Sequence, residues 1–321
     1  MTELLNRIPP EILERIGELD LDVESTNCLK AIEELLEKTV LDGGKRLRPM
    51  ITFLMGRVLL EDLSVLDPFA KAIEMVHAAS LAHDDVVDEA TMRRGSPSIN
   101  NVASNKRAVL AGDYLLADVI YNLSHQGDLK IVQKMSSVIT DLAVGEWVQS
   151  DAIEQRAYTV EVIERIAFLK TASVMSWCTW VSAYKAGLGE DQCSTAYNVG
   201  KHIGIAFQMM DDVLDFSEDS KKDQLLDVKN NIVNSVILEW LELNPSKLKS
   251  YKDGEDLINL WSLDNIELAV SNVKQRATEH MSKAQSSLED IIKLSPLGEP
   301  TASKNAQPMY DIMKFIIERS F

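Results

Sequence analysis

Two aspartate triplets with the same spacing restrict this chain to folds that bring two acidic helix ends together. Asp84, Asp85 and Asp88 stand in "HAASLAHDDVVDEATMRRG" (residues 77–95), and Asp211, Asp212 and Asp215 in "GIAFQMMDDVLDFSED" (residues 204–219). At about 100° per residue, Ile73, His77, Ser80, Asp84 and Asp88 form one stripe along a helix, and Gly204, Gln208, Asp211 and Asp215 form another. Acidic groups at a helix C-terminus oppose the macrodipole and repel one another, each at a cost of a few tenths to about 1 kcal/mol. The flanking stretches are apolar on several sides, which suits helices deep in a bundle, and carboxylates buried there need cations.

The rest of the chain reads as helix. Apolar residues recur with the helical period, and alternating Val-rich runs bounded by turns are missing. The pattern predicts helices near residues 9–20, 24–40, 46–61, 67–88, 105–126, 128–150, 158–186, 189–216, 226–243, 254–290 and 306–320. The punctuation falls at Gly43-Gly44, Pro49, Pro68, "RRGSPS", Gly127, Gly187, Gly189, Pro245 and "SPLGEPTASKNAQP". With short connections throughout and no linker, the expectation is an all-α fold: one large helical bundle. A single domain spans residues 1–321, with room for a peripheral C-terminal section from about residue 245.

Composition removes several function classes. A formal charge of −17 argues against nucleic acid as the main partner. Cys28, Cys178 and Cys193 are widely spaced and form no CxxC, so neither a zinc site nor a disulfide framework is indicated, and a cytoplasmic location is expected. The first twenty residues mix acids into the apolar pattern, unlike a signal peptide. No apolar run reaches the roughly 20 residues that a spanning helix needs.

Six carboxylates facing one cavity without His or Cys ligands select a hard ion. Mg²⁺ fits best, because it takes a few carboxylates and leaves positions for water and phosphate oxygens. The expected ligand is therefore a diphosphate bridged by metal. Two basic knots agree: Lys45, Arg46 and Arg48 in "DGGKRLRP" (residues 42–49), and Arg93 and Arg94 in "MRRGSPS" (residues 92–98). Guanidinium forks suit phosphate oxygens, and a Gly-Gly pair lets backbone N–H groups approach an anion.

The blocks "GGKRLRP", "HDDVVDEATMRRG", "GDYLLA" (112–117), "LKTAS" (169–173) and "FQMMDDVLD" (207–215) resemble, in order and spacing, the signatures of trans-isoprenyl diphosphate synthases. That resemblance implies an all-helical bundle around a central cavity, in a homodimer, joining an allylic diphosphate to isopentenyl diphosphate. It makes Asp84, Asp88 and Asp211, supported by Asp85, Asp212 and Asp215, the holders of Mg²⁺. Arg93, Lys170, Gln208 and Lys222 would contact the allylic diphosphate. Lys45, Arg48, His77 and Arg94 would form the isopentenyl diphosphate pocket. No protein nucleophile is required, consistent with the lack of a Ser or Cys triad.

One segment departs from the family pattern. Where members carry Gly-Lys, Asp and a second Gly-Lys, this chain reads "SEDSKKDQLLDVKNNIVNSV" (217–236), so Lys222 and Asp227 stand for the first Lys and the Asp, and the second pair falls at Asn231-Ile232. A noncatalytic or partner-dependent subunit is therefore the rival reading; a terpene cyclase would carry only one aspartate block. The family resemblance also puts product length at Ala79 and Ser80, five and four positions before Asp84. Both are small, which implies a long polyprenyl product able to associate with membranes.

Overall fold

The computed structural model describes residues 7–21, 30–41, 43–216 and 226–318, and these are overwhelmingly helical. In chain order the main helices are α1 (Pro10–Gly17), α2 (Lys30–Leu36, running on as a π-helical turn at Glu37–Leu41), α3 (Leu47–Leu59), α4 (Asp67–Val87), α5 (Asn105–His125) and α6 (Leu129–Gln155). They continue with α7 (Val160–Ala167), α8 (Ser173–Lys185), α9 (Glu190–Leu214), α10 (Ser235–Glu242), α11 (Ile266–Lys293) and α12 (Glu299–Glu318). Between α4 and α5 lies a short antiparallel ladder, β1 (Met92–Arg93) with β2 (Ser96–Pro97). It turns through Arg94 and Gly95, both with left-handed backbones (φ 51° and 81°).

Helix α8 is buried along nearly its whole length and sits between α3 and α9. In turn α9 packs against α11, and α4 against α5. One contiguous hydrophobic core runs from Ile8 to Ile316 and takes in Tyr251 and Leu257, so the chain beyond residue 245 joins the same core. Helix α9 crosses the start of α8 at very short range. A Cβ added at Gly200 would stand 2.2 Å from the Met175 carbonyl oxygen, and one at Gly204 2.4 Å from the Ala172 Cα. Only glycine permits that crossing, and one turn further along α9 it sets Gln208 beside Thr171.

Four helix expectations need correction. The helix expected over 158–186 runs from Val160 to Lys185 and widens to a π-helical turn at Phe168–Ala172. The 226–243 helix breaks: Leu226–Lys229 forms a single turn, Asn231 adopts a left-handed backbone (φ 56°), and α10 starts at Ser235. There the Asn234 side chain accepts from the Val236 and Ile237 N–H groups at 3.1 and 3.0 Å. The helix expected from 254 starts at Ile266, after left-handed Asn265. Finally, α12 starts at Glu299 and keeps Pro308 inside, because burying Ala302, Ala306, Met309 and Met313 outweighs one lost hydrogen bond.

His202 on α9 and His280 on α11 meet Nδ1 to Nδ1 at 3.0 Å, so one ring must present a bare nitrogen to the other's N–H. His280 Nε2 lies 3.6 Å from Glu164 Oε1 of α7. Burial, followed by His280, Lys201 and Lys283, pushes His202 down to about 4. A histidine depressed in the folded state adds stability that is full above its unfolded value near 6.5 and is lost as pH falls toward 4. Melting curves at pH 7 and pH 5 should show a smaller acid-induced drop in Tm for His202→Asn than for the wild type. Equal drops would remove the pair from the acid sensitivity.

Candidate active site

The first aspartate cluster ends α4. Asp85 is fully buried, and Arg93 donates two N–H groups to its Oδ1, from Nε at 2.8 Å and Nη2 at 2.6 Å. Asn100 Nδ2 holds the Asp85 carbonyl at 2.9 Å, while the buried Oδ2 has no hydrogen-bond partner. Asp84 is half-buried, and its carboxyl is pushed up to about 7 by burial and then by Glu146 and Asp88, against the pull of Lys170. Asp88, at the exposed helix end, is raised by desolvation, with Glu146 and Asp85 adding repulsion and Lys170 opposing.

Lys170 sits in the π-helical turn. It is ion-paired with Glu146 and donates to Gln149 Oε1 at 3.2 Å. Glu146 and Gln149 of α6 were not singled out in the sequence; the available signal was an acid and an amide three apart in "GEWVQ".

The second cluster is asymmetric. On α9, Asp211 and Asp215 keep to the stripe, whereas Asp212 is buried and held from three directions. Gln208 Nε2 donates to Asp212 Oδ1 at 3.0 Å, and the Ser235 N–H and Oγ–H both donate to Oδ2, at 3.0 and 2.7 Å. Burial lifts the Asp212 carboxyl to about 6, with the Ser235 and Gln208 donors opposing. Gln208 Oε1 in turn accepts from Thr171 Oγ at 2.8 Å. Asp85 and Asp212, the second members of the two triplets, thus share a situation: each is gripped by protein donors off the stripe.

The basic knots come together. Gly44 has a left-handed backbone (φ 82°), and a Cβ there would lie 2.7 Å from Arg94 Nη1, so the Gly-Gly turn and Arg94 lie against one another. Arg46 is directed elsewhere, toward the Ile16 and Leu19 carbonyls at 3.4 Å each. Burial lowers the Arg48 pKa; Glu74 is the first counter-charge to it, Asp211 also acts on it, and its buried Nε has no hydrogen-bond partner. This pairing puts the basic pocket within electrostatic reach of the second cluster.

His77 is held well below its usual value by burial and by Arg48, Arg94 and Arg93. Glu74, one turn before His77, is a buried carboxylate opposite Arg48, Arg46 and Arg94 that sequence reasoning passed over. Its signal was a lone acid in the apolar run "AIEMVH".

Ser80 is half-buried and donates to the His77 carbonyl at 2.9 Å. Ala79 is fully buried on the α4 face that it shares with His83, which meets the Val109 carbonyl of α5 at 3.2 Å. Neither His83 nor His202 joins the acidic clusters. Lys45 is exposed, and Lys229 is exposed on the turn before Asn231. Lys222 lies outside the described residues.

Among the described residues, no three His, Cys, Asp or Glu side chains converge tightly enough to enclose an ion unaided. The donor set still fits Mg²⁺, which completes its shell with water and phosphate oxygens. Asp84 is crowded by like charge, and Asp85 has a buried oxygen without a partner.

The fold is an all-α bundle that carries two acidic helix ends and an arginine-lined pocket. Residues 29–256 match the family described as Polyprenyl synthetase. A "Prenyl transferase" of Cyanophora paradoxa is 31% identical over 289 residues, covering 87% of each chain. "Solanesyl-diphosphate synthase 2, chloroplastic" of Oryza sativa subsp. japonica is 35% identical over 186 residues, 56% of this chain and 46% of that one. Among solved structures, a decaprenyl diphosphate synthase from Rhodobacter capsulatus superposes with a TM-score of 0.83 at 25% identity, covering 100% of this chain and 99% of the other. The chain belongs to the polyprenyl synthetase family and, as a member of it, is a prenyltransferase enzyme.

Proposed function

We propose that this chain condenses isopentenyl diphosphate with an allylic diphosphate, such as farnesyl or geranylgeranyl diphosphate, in a Mg²⁺-dependent reaction, and repeats the step to a long-chain polyprenyl diphosphate. The observation that carries the reading is the buried Arg48, which faces Glu74 and lies within electrostatic reach of Asp211 of the second cluster, beside a His77 that Arg48, Arg94 and Arg93 all act on.

Asp84, Asp88, Asp211 and Asp215 would hold Mg²⁺, with Asp85 and Asp212 supporting them as anchors of their helices. Bound there, the ion would neutralise the allylic diphosphate and favour its departure. Lys170, oriented by Glu146 and Gln149, adds a cation on the same side. Arg48, Arg94, Lys45 and His77 would orient isopentenyl diphosphate so that its alkene meets the allylic carbon.

The relatives above are all named as enzymes, so the noncatalytic or partner-dependent subunit finds no support. The homodimer stays part of the proposal: Val109, Leu110 and Tyr121 of α5 and Leu129 and Trp147 of α6 are exposed apolar residues. Light scattering at twice 35.9 kDa would bear it out, and at 35.9 kDa would refute it. Among the described residues no helix is long and apolar enough to cross a membrane. Association of the product with membranes would follow from its length, at about 0.8 kcal/mol per buried CH₂. Buried thiols at Cys178 and Cys193 are compatible with the cytoplasmic location expected.

The test is incubation of the purified protein with Mg²⁺, farnesyl diphosphate and radiolabelled isopentenyl diphosphate. A ladder ending in one long polyprenol is expected, and a chelator should abolish it. No incorporation with either primer would overturn the reading. In the same assay Ser80→Phe should shorten the main product, and unchanged length would place the floor of the site elsewhere.

A further inference from the structure

A chain of hydrogen bonds crosses three elements behind the site. It starts at Thr171 in the π-helical turn, next to Lys170, passes through Gln208 and Asp212 of α9, and ends on both the N–H and the hydroxyl of Ser235, the first residue of α10. Thr171, Asp212 and Ser235 are 8%, 8% and 1% exposed and Gln208 is half-buried, so the two Ser235 bonds are closed to water and the two Gln208 bonds are partly shielded from it.

The direction of the chain is forced. With Thr171 donating to its oxygen, Gln208 must turn its NH₂ to Asp212; a flipped amide would set its oxygen against the carboxylate. A buried network in which each member is satisfied holds its members rigidly. Both ends of Gln208 are therefore engaged by the protein.

We propose that Thr171 and Ser235 are positioning residues for the allylic-diphosphate side of the reaction, acting through Gln208 and Asp212 to fix the Lys170 turn and the second aspartate cluster relative to each other. The inference rests on the function proposed above. Thr171 holds the turn that presents Lys170. Ser235 holds the aspartate flanked in sequence by Asp211, so a slip at either end is transmitted to the other.

The test uses the full chain with Thr171→Val, Thr171→Ser, Ser235→Ala and the double variant Thr171→Val/Ser235→Ala. Read-outs are kcat and KM for both substrates, calorimetric binding of inorganic diphosphate with Mg²⁺, and Tm. Thr171→Val should raise the allylic KM and the diphosphate Kd about tenfold, the effect of one lost hydrogen-bonded contact, with the isopentenyl diphosphate KM within about twofold. Thr171→Ser should restore both. The double variant should lose clearly less than the product of the single losses, because one broken link already frees the chain. Equal rises in both KM values, a fall in Tm alone, or multiplying losses would overturn the relay. A wild-type protein that neither binds diphosphate nor incorporates isopentenyl diphosphate would refute the proposed function itself, and the relay's role with it. That outcome is distinct, because it appears before any variant is compared.

Discussion

Asp84→Ala is expected to lower kcat/KM on the order of 10³-fold, as removal of a group that stabilises developing charge does, without lowering Tm in metal-free buffer. The two halves of that result have one cause. Asp84 is half-buried beside Glu146 and Asp88, and burial together with these like charges lifts its carboxyl to about 7. In the metal-free protein its negative charge opposes folding, so deletion relieves repulsion. During turnover the same charge would hold Mg²⁺ against the diphosphate. Steady-state kinetics with both substrates, beside thermal melts with chelator, measure the two halves separately. Retained turnover would remove Asp84 from the metal site; a large loss of Tm would make it a structural carboxylate.

Gly200→Val should be the most destabilising single change among those considered, by about 3 kcal/mol or more. Its first added carbon would meet the Met175 carbonyl oxygen at 2.2 Å and the Ser176 Cα at 2.6 Å, both backbone atoms that no rotamer change can move. Relief requires α8 and α9 to separate, and two turns further on that separation would pull Gln208 from Thr171. Activity should therefore fall together with stability. Gly17, at the end of α1, is the control: nothing lies within 4 Å of a Cβ built there. Gly17→Ala should be neutral or stabilise by up to about 1 kcal/mol. Denaturant titration decides, and Gly200→Ala within about 0.5 kcal/mol of wild type would contradict the close crossing.

Periodicity carried much of the architecture, because apolar residues at helical spacing leave few ways to bury themselves. It failed where local chemistry outweighs it. Left-handed Asn231 and the Asn234 cap divide a helix that reads as continuous, and Pro308 stays inside one that reads as starting near it. The π-helical turn at Lys170 leaves no mark on the apolar pattern.

For the site, helical spacing singled out the stripes of Asp84 and Asp88 and of Asp211 and Asp215, and the local density of Lys and Arg singled out the two basic knots. Which carboxylates are gripped by protein donors was not legible, since Asp85 meets Arg93 through a hairpin and Asp212 meets Ser235 on a different helix. Glu74, Glu146 and Gln149 left only weak signals for the same reason: their importance lies in partners on other elements.

Taken alone, the amino-acid order determined the helical class and the acidic and basic groups, because those depend on residue type and on spacing within one helix, and the reaction came from the family resemblance that its five blocks carry. Tertiary structure alone decided that Arg94 lies on Gly44, that Arg46 turns to α1, that His202 pairs with His280, and that Thr171 reaches Asp212 through Gln208. Each of those is a contact between distant segments, set by how closely helices pack, and at the α8–α9 crossing that distance rests on two glycines without a Cβ.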